Sequence, residues 1–321
     1  MPVVFVLGCT GLIGNEVALQ FIRKGYEVYG LARTEEKANQ LKRVEIKPVI
    51  ASGKDVEIWS AIATKADIIV EAIADYSDYE VEHVVYQEIH RIAKSNPNIT
   101  IIYTNGIWQY GSSNDLITEH STLSNAPALV KNRIALGSKY IALGAILILP
   151  SLVYGGSGAH SAHYFRSIEK GEITLFSEDQ YQTYIHYIDI ASMYVAAAER
   201  AHLLRGESFI AADHVHKVSD VVKGIAAALG KEIKITYKGA PTDDYQACLA
   251  LNQRASNSKA KIKLDWKPTQ RSLIDDAQNY CIKIPKLKIT LGFDQWPIEN
   301  AFSVKNIMSF IFVFCAEFVF A

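Results

Sequence analysis

The sequence predicts an α/β fold: a doubly wound parallel sheet with a smaller, discontinuous lobe toward its C-terminal half. Three observations predict it. Val3-Val4-Phe5-Val6-Leu7 is an apolar run without polar alternation, the pattern of a strand covered on both faces. Gly8, Gly11 and Gly14 follow it directly and open a stretch of helical period. Further short apolar runs then alternate with amphipathic stretches as far as residue 212, as β-α-β units require.

The elements can be justified in order. After the glycines, Glu16-Val17-Ala18-Leu19-Gln20-Phe21-Ile22-Arg23-Lys24 reads as an amphipathic helix stopped by Gly25, and Tyr26-Glu27-Val28-Tyr29-Gly30-Leu31-Ala32 as the second strand. A polar helix is expected over 37–43, a third strand over 44–51 and a helix over 55–63. The fourth strand is read over 66–74 and the fifth over 99–106, with a helix over 81–93 between them. A helix over 128–143 carries Leu129, Leu136 and Leu143 as a packing stripe, and Ala145-Ile146-Leu147-Ile148-Leu149-Pro150 is the sixth buried strand. An alanine-rich helix over 191–201, a last strand over 208–212 and a helix over 218–229, capped by Ser219 and ended by Gly230, complete the pattern.

The glycine spacing points to a dinucleotide. Gly8 suits the tight turn out of the strand, Gly11 lets backbone amides approach a pyrophosphate, and Gly14 lets the helix pack closely, with Thr10, Leu12 and Ile13 completing the loop. Phosphate would lie at the positive end of the helix that begins there. Arg33 follows the second strand where an acidic residue would bind ribose hydroxyls, so NADP(H) is favoured over NAD(H). Ligands of such sheets sit outside the carboxyl ends of the strands, which adds Ala72, Ile73, Ala74, Thr104, Pro150 and Leu152 to the candidate cofactor contacts.

Thr10-Gly11-Leu12-Ile13-Gly14, Ala72-Ile73-Ala74, Tyr110-Gly111, Pro150-Ser151-Leu152-Val153-Tyr154-Gly155, Ile185-His186-Tyr187-Ile188-Asp189-Ile190 and Asp265-Trp266-Lys267-Pro268 occur in the order of one family. Over residues 1–284 the chain resembles the extended short-chain dehydrogenase/reductase superfamily, its NAD(P)-dependent epimerase/dehydratase group. The resemblance implies a Rossmann domain over 1–154 and 185–212 and a substrate lobe over 155–184 and 213–284. It also implies a homodimer paired through the helices at 81–93 and 128–143. In that family a serine near the fifth strand and a Tyr-x-x-x-Lys pair exchange a proton with the substrate as hydride moves. Here Gly106 stands at the serine position, Leu129 at the tyrosine and Arg133 at the lysine, and none of the seventeen tyrosines is followed four residues later by lysine. Two readings stay open. One is an oxidoreductase acting with NADP(H) on a small carbonyl or hydroxyl compound, sugar-like or an aldehyde, with Asn105, Tyr110 and Arg133 at the reacting end and Arg133 also holding the ribose. The other is an NADP(H)-binding sensor or scaffold without chemistry.

Composition narrows the remaining classes. A net charge of −1 over 321 residues, with dispersed basic side chains, provides no electrostatic footprint for nucleic acid. Cysteines 9, 248, 281 and 315 form neither a disulfide framework nor a metal spacing, and no metal site is expected. His160, His163, His186, His214 and His216 are read as polar loop and strand-end residues rather than ligands. Reduced thiols and the absence of a basic leader before Val3 suggest a cytoplasmic protein. The apolar segment over 307–321, within a tail over 285–321 that does not fit the family, is short of the roughly twenty residues a spanning helix needs.

Overall fold

A computed structural model describes residues 1–282 apart from 77, 157, 158 and 238; the tail expected over 285–321 and Ser157 of the substrate lobe lie outside the described residues. Seven strands form one parallel sheet. The N-terminal half contributes β1 (Val3–Leu7), β2 (Glu27–Ala32), β3 (Lys47–Ile50), β4 (Ile68–Glu71) and β5 (Thr100–Thr104). A two-residue strand, β6 (Leu116–Ile117), precedes β7 (Ile146–Pro150) and β8 (Leu152–Tyr154). After these come β9 (Glu172–Leu175), β10 (Tyr181–His186), β11 (Ser208–Ala211), β12 (His214–Lys217), β13 (Lys234–Tyr237) and β14 (Arg254–Ala255). The large sheet runs β11-β7-β5-β4-β1-β2-β3. Its order reverses between β1 and β4, so a crevice opens at their carboxyl ends.

Helices cover both faces. On one face lie α1 (Leu12–Arg23), α2 (Glu35–Lys42), α7 (Tyr187–Glu199) and α10 (Ser258–Leu264), and on the other α3 (Val56–Ala63), α4 (Tyr79–Ser95) and α5 (Ala128–Ala142), while α6 (Ala162–Lys170) and α8 (Val218–Ala228) pack in the smaller lobe and α9 (Asp244–Leu249) packs beside α5. Alternate residues of each strand feed two cores. Val4, Val6 and Ile102 pack with α1 and α7, whereas Phe5, Leu7, Ile69 and Tyr103 pack with α3, α4 and α5. This two-sided burial is why the strands read as unbroken apolar runs.

Most expected elements are present, several with shifted limits. The third and fourth strands shorten to β3 and β4 because a left-handed Glu45 turns the chain before Lys47, and Asp67 and Ala72 to Ala74 lie outside the β4 ladder. The alanine-rich helix starts early, at Tyr187, with His186 Nδ1 accepting from the Ile188 amide. The 218–229 helix is capped by Lys217 without a side-chain bond, which leaves Ser219 buried in the first turn rather than capping. Asp78 does cap α4, accepting from the Glu80 amide at 3.2 Å.

The second lobe has its own core, built from Tyr154, Tyr164, Phe165, Tyr184, Val218, Val222 and Ile225. Its sheet, β12-β10-β8, includes Leu152 to Tyr154, so β8 hydrogen-bonds within this lobe rather than extending the large sheet. Two short parallel pairs, β9 with β13 and β6 with β14, fasten the later chain to the earlier.

A buried polar brace ties the ends of β4 and β5 to α4 and α5. The Arg133 guanidinium donates to Glu82, to the Ile73 carbonyl at 3.1 Å and to the Thr104 carbonyl at 2.6 Å, and lies over the Tyr103 ring. The planar fork suits this task because it can reach several acceptors at once. Beside it Glu71 is 1% exposed, receives the Ile73 amide on Oε1 and has no hydrogen-bond partner for Oε2. Burial, opposed by the Arg133 charge and reinforced by Glu82, pushes the Glu71 carboxyl up to about 8.

Two expectations follow for stability. A methyl group at Gly14, within α1, would come closer than 3.0 Å to the Gly8 carbonyl oxygen, whereas one at Gly25, which is left-handed at φ +83°, meets nothing within 4 Å. In urea denaturation Gly14→Ala should therefore cost about 3 kcal/mol, and Gly25→Ala only the left-handed strain of about 1–2 kcal/mol. Because the Glu71 carboxyl titrates near 8 when folded and near its ordinary 4.5 when unfolded, its neutral form favours the native state, and that contribution is lost as pH rises from about 4.5 through 8. Wild-type protein should lose stability relative to Glu71→Gln between pH 5 and pH 8.5, by on the order of a few kcal/mol; parallel pH profiles for the two proteins would contradict this.

Candidate functional site

The site begins with backbone approach. Gly8 leaves β1 at φ +82°, and a Cβ there would sit 2.5 Å from the Ala72 carbonyl oxygen. The turn is closed by the Gly11 amide donating to the Gly8 carbonyl at 3.0 Å, and Asn15 Nδ2 donates to the Cys9 carbonyl. Gly14 is buried on the same carbonyl, so α1 starts flush against the loop. Gly11 is different. A Cβ there would be 3.3 Å from its nearest neighbour, and Thr10 and Gly11 are exposed while Leu12 and Ile13 are half-buried. Gly8 and Gly14 thus shape the loop, and Thr10-Gly11 forms its open rim. Gly11 is the N-cap of α1 and makes no side-chain cap bond, leaving the helix N-terminus to amides alone. A cradle of this kind suits an anion.

The opposite wall comes from the end of β4. Ala72 and Ile73 are half-buried and Ala74 is exposed; the Ala72 amide holds the Leu7 carbonyl, and the Ile73 carbonyl is held by Arg133. Arg33, at the end of β2, is exposed, and Thr34 after it caps α2. Gly8 and Ala72 meet where β1 and β4 end, and Arg33 follows the neighbouring parallel strand β2 at the same edge of the sheet.

The remaining candidates are more deeply engaged. Thr104 Oγ1 donates to the Glu71 carbonyl at 2.8 Å and lies 2.6 Å from the Tyr194 hydroxyl. Asn105 is half-buried, with Nδ2 donating to Gln109 Oε1 at 3.1 Å and to the Arg133 carbonyl at 3.2 Å. Tyr110 is 4% exposed within the core shared by α4 and α5, and burial pushes its phenol up to about 12. Arg133 is buried in the brace described above. Pro150 and Leu152 are buried, and Leu152 belongs to the core of the smaller lobe.

Gly106 and Leu129 are the positions expected to replace hydroxyl-bearing residues. Gly106 is extended, and a Cβ there would find its nearest neighbour at 3.7 Å, so the position has space for a side chain it lacks. Leu129 is 6% exposed and packs with Val130, Cys248, Trp108, Tyr76 and Tyr245. An apolar side chain thus occupies the position expected for the tyrosine.

Two contributors went unread in the sequence. The loop after β8 folds over the cradle: a Cβ on Gly155, at φ +103°, would collide with the His186 ring, and one on Gly156 would fall 2.5 Å from Leu12 Cδ1. Glu71 was passed over as part of an apolar strand, although a carboxylate inside a run buried on both faces is itself a signal. Among the described residues no group of three or more His, Cys, Asp or Glu could hold a metal, and no helix is long and apolar enough to cross a membrane.

Comparison with known proteins agrees with this arrangement. Residues 4–109, from β1 to just beyond β5, match the model of the NAD dependent epimerase/dehydratase family. An uncharacterized protein of Saccharomyces cerevisiae is 25% identical over 304 residues, covering 87% of this chain and 99% of its own. One from Schizosaccharomyces pombe is 23% identical over 295 residues, covering 85% and 97%. Among solved structures, dTDP-glucose 4,6-dehydratase from Bacillus anthracis, in complex with NAD, superposes with a TM-score of 0.73 at 16% identity, covering 88% of this chain and 96% of that one. UDP-glucose 4-epimerase from Bifidobacterium longum, in complex with NAD+ and UDP, gives 0.70 at 17% identity, covering 88% and 97%. The chain is thus similar over residues 4–109 to the NAD dependent epimerase/dehydratase family and shares its overall Rossmann-like fold with these solved structures.

Proposed function

We propose that the protein binds a nicotinamide dinucleotide in the β1/β4 crevice, NADP(H) in preference to NAD(H), and oxidises or reduces a small carbonyl or hydroxyl compound. The observation that carries this reading is the Gly8 to Gly14 cradle, where two glycines are required by backbone contact and the third is left open beside a helix N-terminus. That solved structures of this fold were obtained in complex with NAD supports it.

When bound, the dinucleotide supplies a hydride donor or acceptor. The chain's own groups do the rest. Thr10, Gly11, Leu12 and Ile13 hold the pyrophosphate, Arg33 meets a 2′-phosphate, and Ala72 to Ala74 line the opposite wall. Asn105, whose amide hydrogens are spent on Gln109 and the Arg133 carbonyl, keeps Oδ1 as an acceptor. Tyr110, with its phenol held protonated, can donate but not act as a base near neutrality. Arg133 serves as a positioning residue, fixing the carbonyl ends of β4 and β5 and contributing its fixed charge to the field there.

A second reading is favoured by a specific observation. Leu129 is packed into the tyrosine register and the Arg133 guanidinium is spent on the brace, which suits a dinucleotide-binding sensor or scaffold that performs no hydride transfer. Fluorescence titration with NADPH and NADH, followed by absorbance at 340 nm over a panel of carbonyl and alcohol substrates, separates the two. Turnover with any substrate supports the oxidoreductase; tight NADPH binding with a silent panel supports the sensor. Arg33→Ala is expected to weaken NADPH about tenfold while changing NADH about twofold or less. Equal effects on both would remove the assignment of Arg33 to the 2′-phosphate.

A further inference from the structure

Two of the aromatic side chains packed on the Leu129 cluster, Trp108 and Tyr245, form a group with His160. Trp108 follows β5, His160 follows β8 and Tyr245 lies on α9, three elements brought together at the strand-end side of the sheet. All three side chains are half-buried rather than closed into a core. The His160 and Tyr245 rings lie within 24° of parallel with centroids 6.3 Å apart, and Trp108 stands across both, at 65° and 5.0 Å from His160 and at 80° and 6.1 Å from Tyr245.

That spacing is too wide for two rings in face contact. A planar group held between parallel walls needs about 7 Å, twice the ordinary carbon contact of about 3.5 Å. The two rings would have to part for one flat ring to lie between them, and further for a puckered one. A second observation points to a ligand. His160 Nδ1 is buried and has no hydrogen-bond partner, while the His160 carbonyl is taken by His163 Nδ1 at 2.6 Å. Buried polar atoms in native proteins are seldom left unpaired without a reason. Burial, with the neighbouring His163 acting in the same sense, lowers His160 to about 4, so its imidazole is neutral at physiological pH and carries one N–H.

We propose that Trp108, His160 and Tyr245 form a slot for the aromatic ring of an aryl carbonyl compound, with His160 Nδ1 donating to its polar substituent. This rests on the oxidoreductase reading above, since Leu129 at the slot's edge occupies the register of the family's reacting tyrosine. An aromatic box gains from ring-on-ring contact and makes few demands on hydroxyl groups, which distinguishes it from a pocket built for a sugar.

The test is direct binding of acetophenone to the full-length protein without nucleotide, followed by calorimetry or ligand-observed NMR. Cyclohexyl methyl ketone serves as the puckered match and UDP-glucose as the sugar nucleotide. Acetophenone is expected to saturate and to bind about tenfold more tightly than cyclohexyl methyl ketone. Trp108→Ala and Tyr245→Ala should each weaken it about tenfold while Tyr245→Phe retains it, and His160→Phe should weaken acetophenone but not ethylbenzene, which lacks the oxygen. Unchanged circular dichroism keeps the comparison to folded protein. Equal binding of the two ketones, indifference to the Trp108 and Tyr245 substitutions, or binding of UDP-glucose in place of acetophenone would overturn the slot. Failure of NADPH to bind the wild-type chain would instead overturn the oxidoreductase reading, and leaves the nucleotide-free readout of the slot as it stands.

Discussion

The contact on which the structure depends is the approach of three backbones at the end of β1. Gly8 lies against Ala72, and Gly14 lies against Gly8, at separations that leave no volume for a side chain. This closeness lets β1 and β4 sit side by side at the point where the sheet reverses order, and lets α1 begin within the loop rather than above it. The crevice is therefore a consequence of packing that only glycine allows. At Gly11 the crowding is milder, with a Cβ 3.3 Å from the Gly8 carbonyl oxygen, and the residue is exposed.

Next to the cradle, the chain has spent its strongest cation on architecture. Arg133 gathers Glu82 and two strand-end carbonyls into one buried group, and the neighbouring Glu71 is left short of donors and tuned toward its neutral form. Removing one member of such a group would strand the others, so the arrangement resists piecemeal change. A lysine at position 133 would place a point charge where a fork now reaches several acceptors. Arg133 is thus integrated with its surroundings, with Leu129 on the same helix packed among apolar and aromatic neighbours.

The smaller lobe is held to this frame by definite bonds. Asp189, at the start of α7, accepts from the Thr269 and Gln270 amides, and the Trp266 indole donates to the Asp189 carbonyl. Gln253 donates to the carbonyls of Ile107 and Gly111. These ties set the late chain across the strand-end crevice and bring α9, with Tyr245, opposite Trp108. The geometry of the aromatic group is fixed by contacts made elsewhere.

Much of the fold was determined by the sequence by itself, because strand burial and helix period are local patterns. The apolar runs predicted all seven strands of the large sheet, β1 at its observed limits and β3 and β4 several residues too long, and the spacing of Gly8, Gly11 and Gly14 predicted a tight strand-to-helix turn after β1. Strand limits were less legible, since Glu45 and Ala72 leave the ladder for reasons set by turns and neighbours. The assignment of β8 to the smaller lobe was not legible either, because an apolar triplet carries no record of its partner strand. Only the tertiary structure decided the tasks of Arg133, Glu71 and Tyr110. Arg133 meets its acceptors across 60, 51 and 29 residues of chain, and a side chain's charge state and usefulness depend on what burial places around it, which no local spacing encodes.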